Sequence, residues 1–352
     1  MTRAALRTRF CELTGCRYPI VQTGMGWVSG VRLTSATSAA GGFGILAAAT
    51  MTFEQLARAI GEVKQRTDEP FGVNMRGDQP DVDRYADLVI RERIKLASFA
   101  SPPKKELIQK LKGEGVLTMP TVGAPRHAEK MAEWGVDAVI AQGHEGGGHT
   151  GPIATTLLLP AVCKVVSIPV IGAGGFHDGR GLVAALAYGA AGVAMGTRFL
   201  LTQESRVPDA VKSTYLKTNL MGTVVTTAID GAPQRVIRTE LIDRLEKANP
   251  LLRFPRALAN AVRFQSLTGT SVVNLLREGL AMRKSQGLTW AQLAMAANAP
   301  MLTKATMVDG KLEAGILPTG QVVGTIDSIP SVAEVIASIV AEAESTLARL
   351  AA

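Results

Sequence analysis

PVIGAGG (residues 169–175) and GVAMGTRF (192–199) are the two stretches on which the reading of this chain turns. Each is a short apolar run closed by a glycine turn, and their starts, Pro169 and Gly192, lie one strand–helix repeat apart. The interval holds a strand, a helix and two short loops. In a (β/α)8 barrel the loops after the seventh and eighth strands carry the phosphate-binding site. Gly174, Gly175, Gly196 and Thr197 would let backbone N–H groups approach an anion there, with the following helix adding its positive N-terminus.

The same rhythm extends back towards the N-terminus. Earlier apolar runs start at Pro19, Gly42, Phe71, Ile94, Val116 and Asp137, and each interval again leaves room for one strand and one helix. Continuous apolar runs suit parallel strands buried on both faces. Eight such units predict an α/β fold, a (β/α)8 TIM barrel over residues 1–204. Amphipathic patterns between the runs predict helices over Phe53–Gln65, Lys104–Lys112 and Arg126–Trp134. From about Ser205 the rhythm changes. Residues 205–298 are helix-prone, with LIDRL (241–245) and VVNLL (272–276) spaced like amphipathic faces, and predict a C-terminal helical cap at the barrel mouth. Residues 299–352 return through a Gly- and Pro-containing loop to a terminal helix expected over 329–350.

The charge is unevenly placed. The chain carries a net +8, and residues 205–289 hold 13 Lys and Arg against 6 Asp and Glu, or +7 of it. A basic segment implies an anionic partner: a nucleic acid, a phosphate-rich small molecule, or simply solvent around a charged helix surface. With 5% aromatic residues and no recognisable nucleic-acid-binding module, nucleic acid is not expected. No apolar stretch reaches the roughly 18–20 residues that cross a bilayer. The three cysteines, Cys11, Cys16 and Cys163, are too few and scattered for a disulfide framework. These features lead us to expect a cytoplasmic enzyme without membrane contact, its oligomeric state open to a homo-oligomer.

Functional atoms of such barrels project from the C-terminal ends of the strands. Gly24 and Met25 follow the first run, Asn74 lies in the third, and Gln142 ends the sixth. Asn74 and Gln142 could hydrogen-bond a cofactor ring or only satisfy loop backbone. After Gln142 comes GHEGGGHTG (143–151), in which Gly147 and Gly148 leave access to His149. That imidazole could exchange a proton with a carbon acid, hold an oxyanion, or merely pin its own loop. His144, Glu145 and His149 lack the H-E-x-x-H spacing of a helical zinc site, so no metal is expected.

PIVQTGMGW, AAGGFGIL, PFGVN, AQGHEGGGHTG, PVIGAGG, MGTRF and GILPTGQVVG resemble, in order, the landmarks of the nitronate monooxygenase (2-nitropropane dioxygenase) flavoprotein family. The resemblance implies FMN, its phosphate on Gly174, Gly175, Gly196 and Thr197. It places Gly24, Met25, Asn74 and Gln142 along the isoalloxazine, beside the Gly147-Gly148 loop, and makes His149 the active-site histidine. GHEGGGHTGPIATTLLLP, TRFLLT, GTVVTTAIDG and AANAPML are similar to a branch of flavin-dependent dehydrogenases or reductases acting on CoA thioesters in degradation of the last two steroid rings. That branch implies an oxidoreductase working on the Cα–Cβ bond of a cyclic acyl-CoA, with NAD(P) as electron partner. The alternative is oxidation of nitroalkanes or nitronates with O2.

Overall fold

In a computed structural model of the protein, residues 6–79, 81–247 and 290–352 are described, with backbone alone at 290–298. The VVNLL stretch and Arg253, Arg256 and Arg263 lie outside the described residues. Strands β1 (Ile20–Gln22), β2 (Phe43–Ala47), β3 (Phe71–Arg76), β4 (Leu96–Ser101), β5 (Leu117–Val122) and β6 (Val139–Gln142) form successive parallel pairs. A short strand, β7 (Gly148–His149), then stands outside the barrel. β8 (Val170–Ala173) pairs with β6, and β9 (Gly192–Met195) pairs back with β1 through Ile20 and Val193, which closes the barrel. All eight barrel strands start inside the apolar runs read from the sequence, and β3 and β4 each end one residue past theirs.

The closed sheet has a packed interior. Val21, Ile45, Leu96, Met119, Ile140, Ile171 and Ala194, one from each of seven strands, are buried in one cluster. Helix α1 (Arg9–Thr14) joins it from the end opposite the functional loops. Its Phe10 meets Phe43 at the start of β2 edge-on, with ring centroids 5.7 Å apart.

The helices form the outer ring: α2 (Val31–Ala39), α3 (Phe53–Arg66), α4 (Val82–Arg91), α5 (Lys105–Gly113), α6 (Pro125–Glu133), α7 (Thr155–Val165) and α8 (Gly179–Ala187). α3 shows why. Thr52 and Gln55 close a reciprocal capping box at its start, and Leu56, Ile60 and Val63 recur at spacings of four and three on its buried face. Full burial of each such side chain contributes about 1.5–3 kcal/mol.

The eighth outer helix is not the next element in sequence. After β9 comes only α9 (Thr197–Leu200), and the place between α8 and α2 is filled by the C-terminal helix α13 (Val332–Ala351). Ser331 and Glu334 cap it with a second reciprocal box. The chain therefore leaves the barrel after its last strand and returns only at Val332 to supply its last helix.

Within that excursion the helical expectation is corrected in part. α10 (Asp209–Leu216), α11 (Glu240–Lys247) and α12 (Trp290–Met307) are helical, and LIDRL falls in α11 as expected. Residues 223–237 instead form an antiparallel hairpin, β10 (Thr223–Thr226) and β11 (Gln234–Ile237). The β-branched run Thr223-Val-Val-Thr-Thr227 favours extended backbone, and β11 finds a partner in β7, across from the barrel loop.

Candidate active site

The loops at the C-terminal ends of the strands converge through contacts that only small residues allow. A methyl group on Gly24 would collide with the Asn74 side chain, and one on Gly196 would meet Met25 Sδ at 3.3 Å. One on Gly147 would meet the Thr319 carbonyl carbon at 2.5 Å. One on Gly174 would meet Gly146 N at 2.9 Å and Gly143 O at 3.1 Å. The first, third, sixth, seventh and eighth strand loops thus share one rim.

Gly174 and Gly175 both take left-handed backbone, at φ +91° and +83°, which L side chains avoid. This turns the chain sharply after β8, and the Gly175 amide has no protein acceptor among the described residues. Two helix N-termini were expected to add positive charge here, and neither does so as expected. The start of α8 is already met by Asp178, whose carboxylate accepts the Gly181 N–H at 2.8 Å. Burial raises the Asp178 pKa, but the Gly181 N–H and Arg180 hold it below its ordinary value on balance. α9 has four residues, too few aligned peptides for a macrodipole, so only its unpaired first-turn N–H groups count.

Two buried nitrogens just beyond the turns, His177 Nδ1 and Arg198 Nε, have no hydrogen-bond partner. Arg198 donates otherwise to the carbonyls of Leu201 and Ser328, at 2.6 and 2.8 Å. Burial lowers its pKa to about 10, so it is still cationic at neutral pH. An amide left without a protein acceptor on a sharp glycine turn is a donor suited to a phosphate. The Thr197 hydroxyl is less free, since it accepts the Gly320 N–H at 2.9 Å and pairs with Thr319 Oγ1 at 3.2 Å. Thr197 therefore has its backbone N–H to offer, and its side chain ties the barrel to the C-terminal limb.

Around the rest of the rim, Asn74 is buried on β3 and donates to Ser98 Oγ at 3.0 Å, so its carbonyl oxygen remains an acceptor. Gln142 donates to the His149 carbonyl at 2.7 Å, the loop-backbone use that the sequence left open for that amide. Trp27, just past Met25, is held at φ +65° and donates from Nε1 to the Pro300 carbonyl of α12 at 3.2 Å. Such strain in a bulky residue persists only where the surroundings impose it.

His149 stands on β7 opposite Gln234 of β11. Its Nε2 lies 2.8 Å from Asp230 Oδ2, and its side chain is 64% exposed against 8% for Asp230. His144 does not join it, since His144 Nδ1 donates instead to the Gly151 carbonyl at 2.8 Å. Glu145 turns the other way, accepting the Thr155 N–H and hydroxyl at 2.9 and 2.8 Å at the head of α7. No group of three potential metal ligands occurs among the described residues.

Sequence reasoning missed Asp230, Thr319, Gly320 and the role of Arg235. The first lies 81 residues from its histidine. The signal available was GTVVTTAIDG itself, a β-branched run ending in Ile-Asp-Gly, which reads as strand then turn. Arg235, within the basic segment, is buried under the loop of β6. It donates to the His144 carbonyl at 3.2 and 3.3 Å and to Thr223 Oγ1 at 2.9 Å. Lys212 is likewise buried on the Thr202 and Ser205 carbonyls, and Arg238 pairs with Asp243. Part of the basic excess is therefore structural. Replacing Arg235 with Met is expected to lower stability by about 1–3 kcal/mol, because the His144 carbonyl loses both guanidinium bonds and keeps only the Thr150 hydroxyl at 3.1 Å. Urea unfolding checks this, and an unchanged midpoint would show the contact to be idle.

A closed parallel barrel with left-handed glycines after its seventh strand and an exposed histidine after the sixth is the framework of an oxidoreductase of the flavin-barrel class. The sequence profile described as nitronate monooxygenase matches residues 7–89 and 82–342, and the chain belongs to that flavin-dependent family. Its relatives include the (3aS,4S,5R,7aS)-5-hydroxy-7a-methyl-1-oxo-octahydro-1H-indene-4-carboxyl-CoA dehydrogenases of Mycobacterium tuberculosis and Rhodococcus jostii. The first is 58% identical over 96% of both chains, the second 56% over 97% of this chain and 96% of the relative. A probable nitronate monooxygenase of Staphylococcus saprophyticus is 31% identical over 73% of this chain and 87% of the relative. Among solved structures, FabK from Thermotoga maritima superposes with a TM-score of 0.80 at 34% identity, covering 98% of each chain.

Proposed function

We propose that the protein is an FMN-dependent oxidoreductase acting on the Cα–Cβ bond of a cyclic, steroid-derived acyl-CoA, with NAD(P) as the second electron partner. The identity of 58%, sustained over 96% of the chain, to a carboxyl-CoA dehydrogenase carries this reading. The more distant nitronate monooxygenases make oxidation of nitronates the second reading. We assign residues 205–298 to a substrate-binding cap, residues 1–204 to the cofactor barrel and residues 299–352 to its returning limb. On this reading the enzyme works in the cytoplasm with reduced thiols; no described helix is long and apolar enough to cross a membrane.

The donor set supports FMN. The amides of Gly174, Gly175, Gly196 and Thr197 would hold its phosphate, and Gly24, Met25, Asn74, Gln142, Gly147 and Gly148 would line its ring. Bound there, FMN supplies the two-electron chemistry by accepting a hydride. The thioester carbonyl acidifies the substrate Cα–H, and His149 takes that proton as the hydride leaves Cβ. Fixing the carbon against both groups is the protein's share of the rate.

Anaerobic stopped-flow mixing of the flavoprotein with a bicyclic carboxyl-CoA thioester tests the reading. Loss of the oxidised flavin bands within a turnover time is expected, and their return on adding NAD(P)+. Nicotinamide-free oxygen uptake with propionate 3-nitronate, and no bleaching by any CoA thioester, would favour the second reading.

A further inference from the structure

We propose that Asp230 is a positioning residue: it keeps the His149 proton on Nε2, so that Nδ1 is the base presented to the substrate. This rests on His149 moving a proton in the proposed reaction.

Asp230 is placed by the hairpin, in the turn between β10 and β11. Its Oδ1 accepts the Ala232 N–H at 3.1 Å, and its Oδ2 accepts both the Gln234 amide and the His149 ring. The carboxylate is buried at 8% exposure and stocked with donors, whereas the imidazole it meets is open. His149 is fixed at two further points. Its backbone sits in register with Gln234, and its carbonyl accepts the Gln142 amide at 2.7 Å. A histidine that merely pinned its loop would need only this backbone network. A buried carboxylate on the far ring nitrogen also chooses the tautomer.

The choice follows from hydrogen-bond chemistry. An ionised carboxylate can only accept, so Nε2 must donate, and the lone pair falls on Nδ1. When Nδ1 takes the Cα proton the ring becomes an imidazolium, and its new charge faces Asp230 across 2.8 Å. The proton is later released to water from Nδ1, and the hydride has gone to the flavin, so the substrate has lost one H+ and one H−. The neighbouring charges are engaged elsewhere. Arg235, next on β11, binds the His144 carbonyl, and Glu145 binds Thr155.

Asp230→Asn keeps the shape and removes the preference. With the Ala232 N–H still donating to the side-chain oxygen, the new amide nitrogen stands where Oδ2 was; it donates to Nε2 and, with the Gln234 amide turned over, to Gln234 Oε1, which drives the proton to Nδ1. Nitrogen NMR of 15N-histidine-labelled protein is expected to show the Nε2–H tautomer of His149 in the wild type and Nδ1–H in the variant. Substrate-driven flavin reduction should fall about 10²–10⁴-fold, as it does when the carboxylate orienting a catalytic imidazole becomes an amide. FMN content, substrate affinity and unfolding midpoint should stay close to wild type, and Asp230→Glu should recover part of the rate. An Nδ1–H tautomer in the wild type overturns the proposal, and that spectrum needs no variant to fold. So does an unchanged rate in Asp230→Asn. A tautomer swap in protein that no CoA thioester reduces would sink the substrate assignment and uphold the positioning role.

Discussion

Replacing His149 with Gln lowers the rate of substrate-driven flavin reduction by about 10²–10⁴-fold, the usual contribution of a positioned acid or base. FMN content should be unaffected, because the cradle of Gly174, Gly175, Gly196 and Thr197 lies on other strands. Stability should move little, since the imidazole is 64% exposed. Gln is the informative replacement, because its amide can still donate to Asp230 and spare a buried carboxylate from losing a partner. Anaerobic stopped-flow absorbance measures the rate, and the ratio of flavin to protein absorbance measures retention. A variant that reduces its flavin at the wild-type rate would remove His149 from the chemistry. A colourless variant would give it a structural role instead.

Gly174→Val should cost the protein its cofactor. The residue sits at φ +91°, where a side chain costs about 1–2 kcal/mol in backbone strain alone. Its Cβ would also stand 2.9 Å from Gly146 N and 3.1 Å from Gly143 O, both backbone atoms of the loop that carries His149. Neither can swing aside like a side chain, so the turn must move and take the Gly175 amide with it. Loss of one well-placed phosphate contact is worth about 1.5–3 kcal/mol, or at least tenfold in FMN affinity. Flavin fluorescence during titration of the apoprotein reads this directly. Gly61→Ala is the control: it lies inside α3 with open space around it, so FMN affinity should not change. Equal affinities in both variants would move the phosphate away from the β8 turn.

Much of the barrel was legible because its signals are local. Each apolar run had to be a strand buried on both faces, and the interval between runs left room for one helix. The capped start of α3 and its apolar stripe are likewise written within the helix and the residue before it. The glycine turns were legible for the same reason, since backbone that must approach something closely excludes Cβ atoms. His149 stood out by its glycine neighbours.

The helix dipoles at the cradle were misread because capping is decided by side-chain direction. Asp178 next to Gly179 proved to occupy the α8 terminus itself. The hairpin at 223–237 was hidden by a neighbouring helical pattern, and its partner strand β7, Gly148–His149, is too short to carry any periodicity. Arg235 belongs to the basic segment and is nonetheless buried, because two bonds to the His144 carbonyl and one to a hydroxyl offset its desolvation.

By itself, then, the order of residues determined the eight-stranded cylinder, the glycine turns after its last two strands and the histidine on the loop of β6, since all three depend on patterns no longer than one strand–helix repeat. Only the folded chain brought Asp230 onto Nε2 of that histidine. The carboxylate arrives on a hairpin from 81 residues away, and the eighth helix of the ring comes from the far end of the chain. Contacts of that separation leave no periodic trace, because what brings them together is closure of the barrel rather than any preference of the segments themselves.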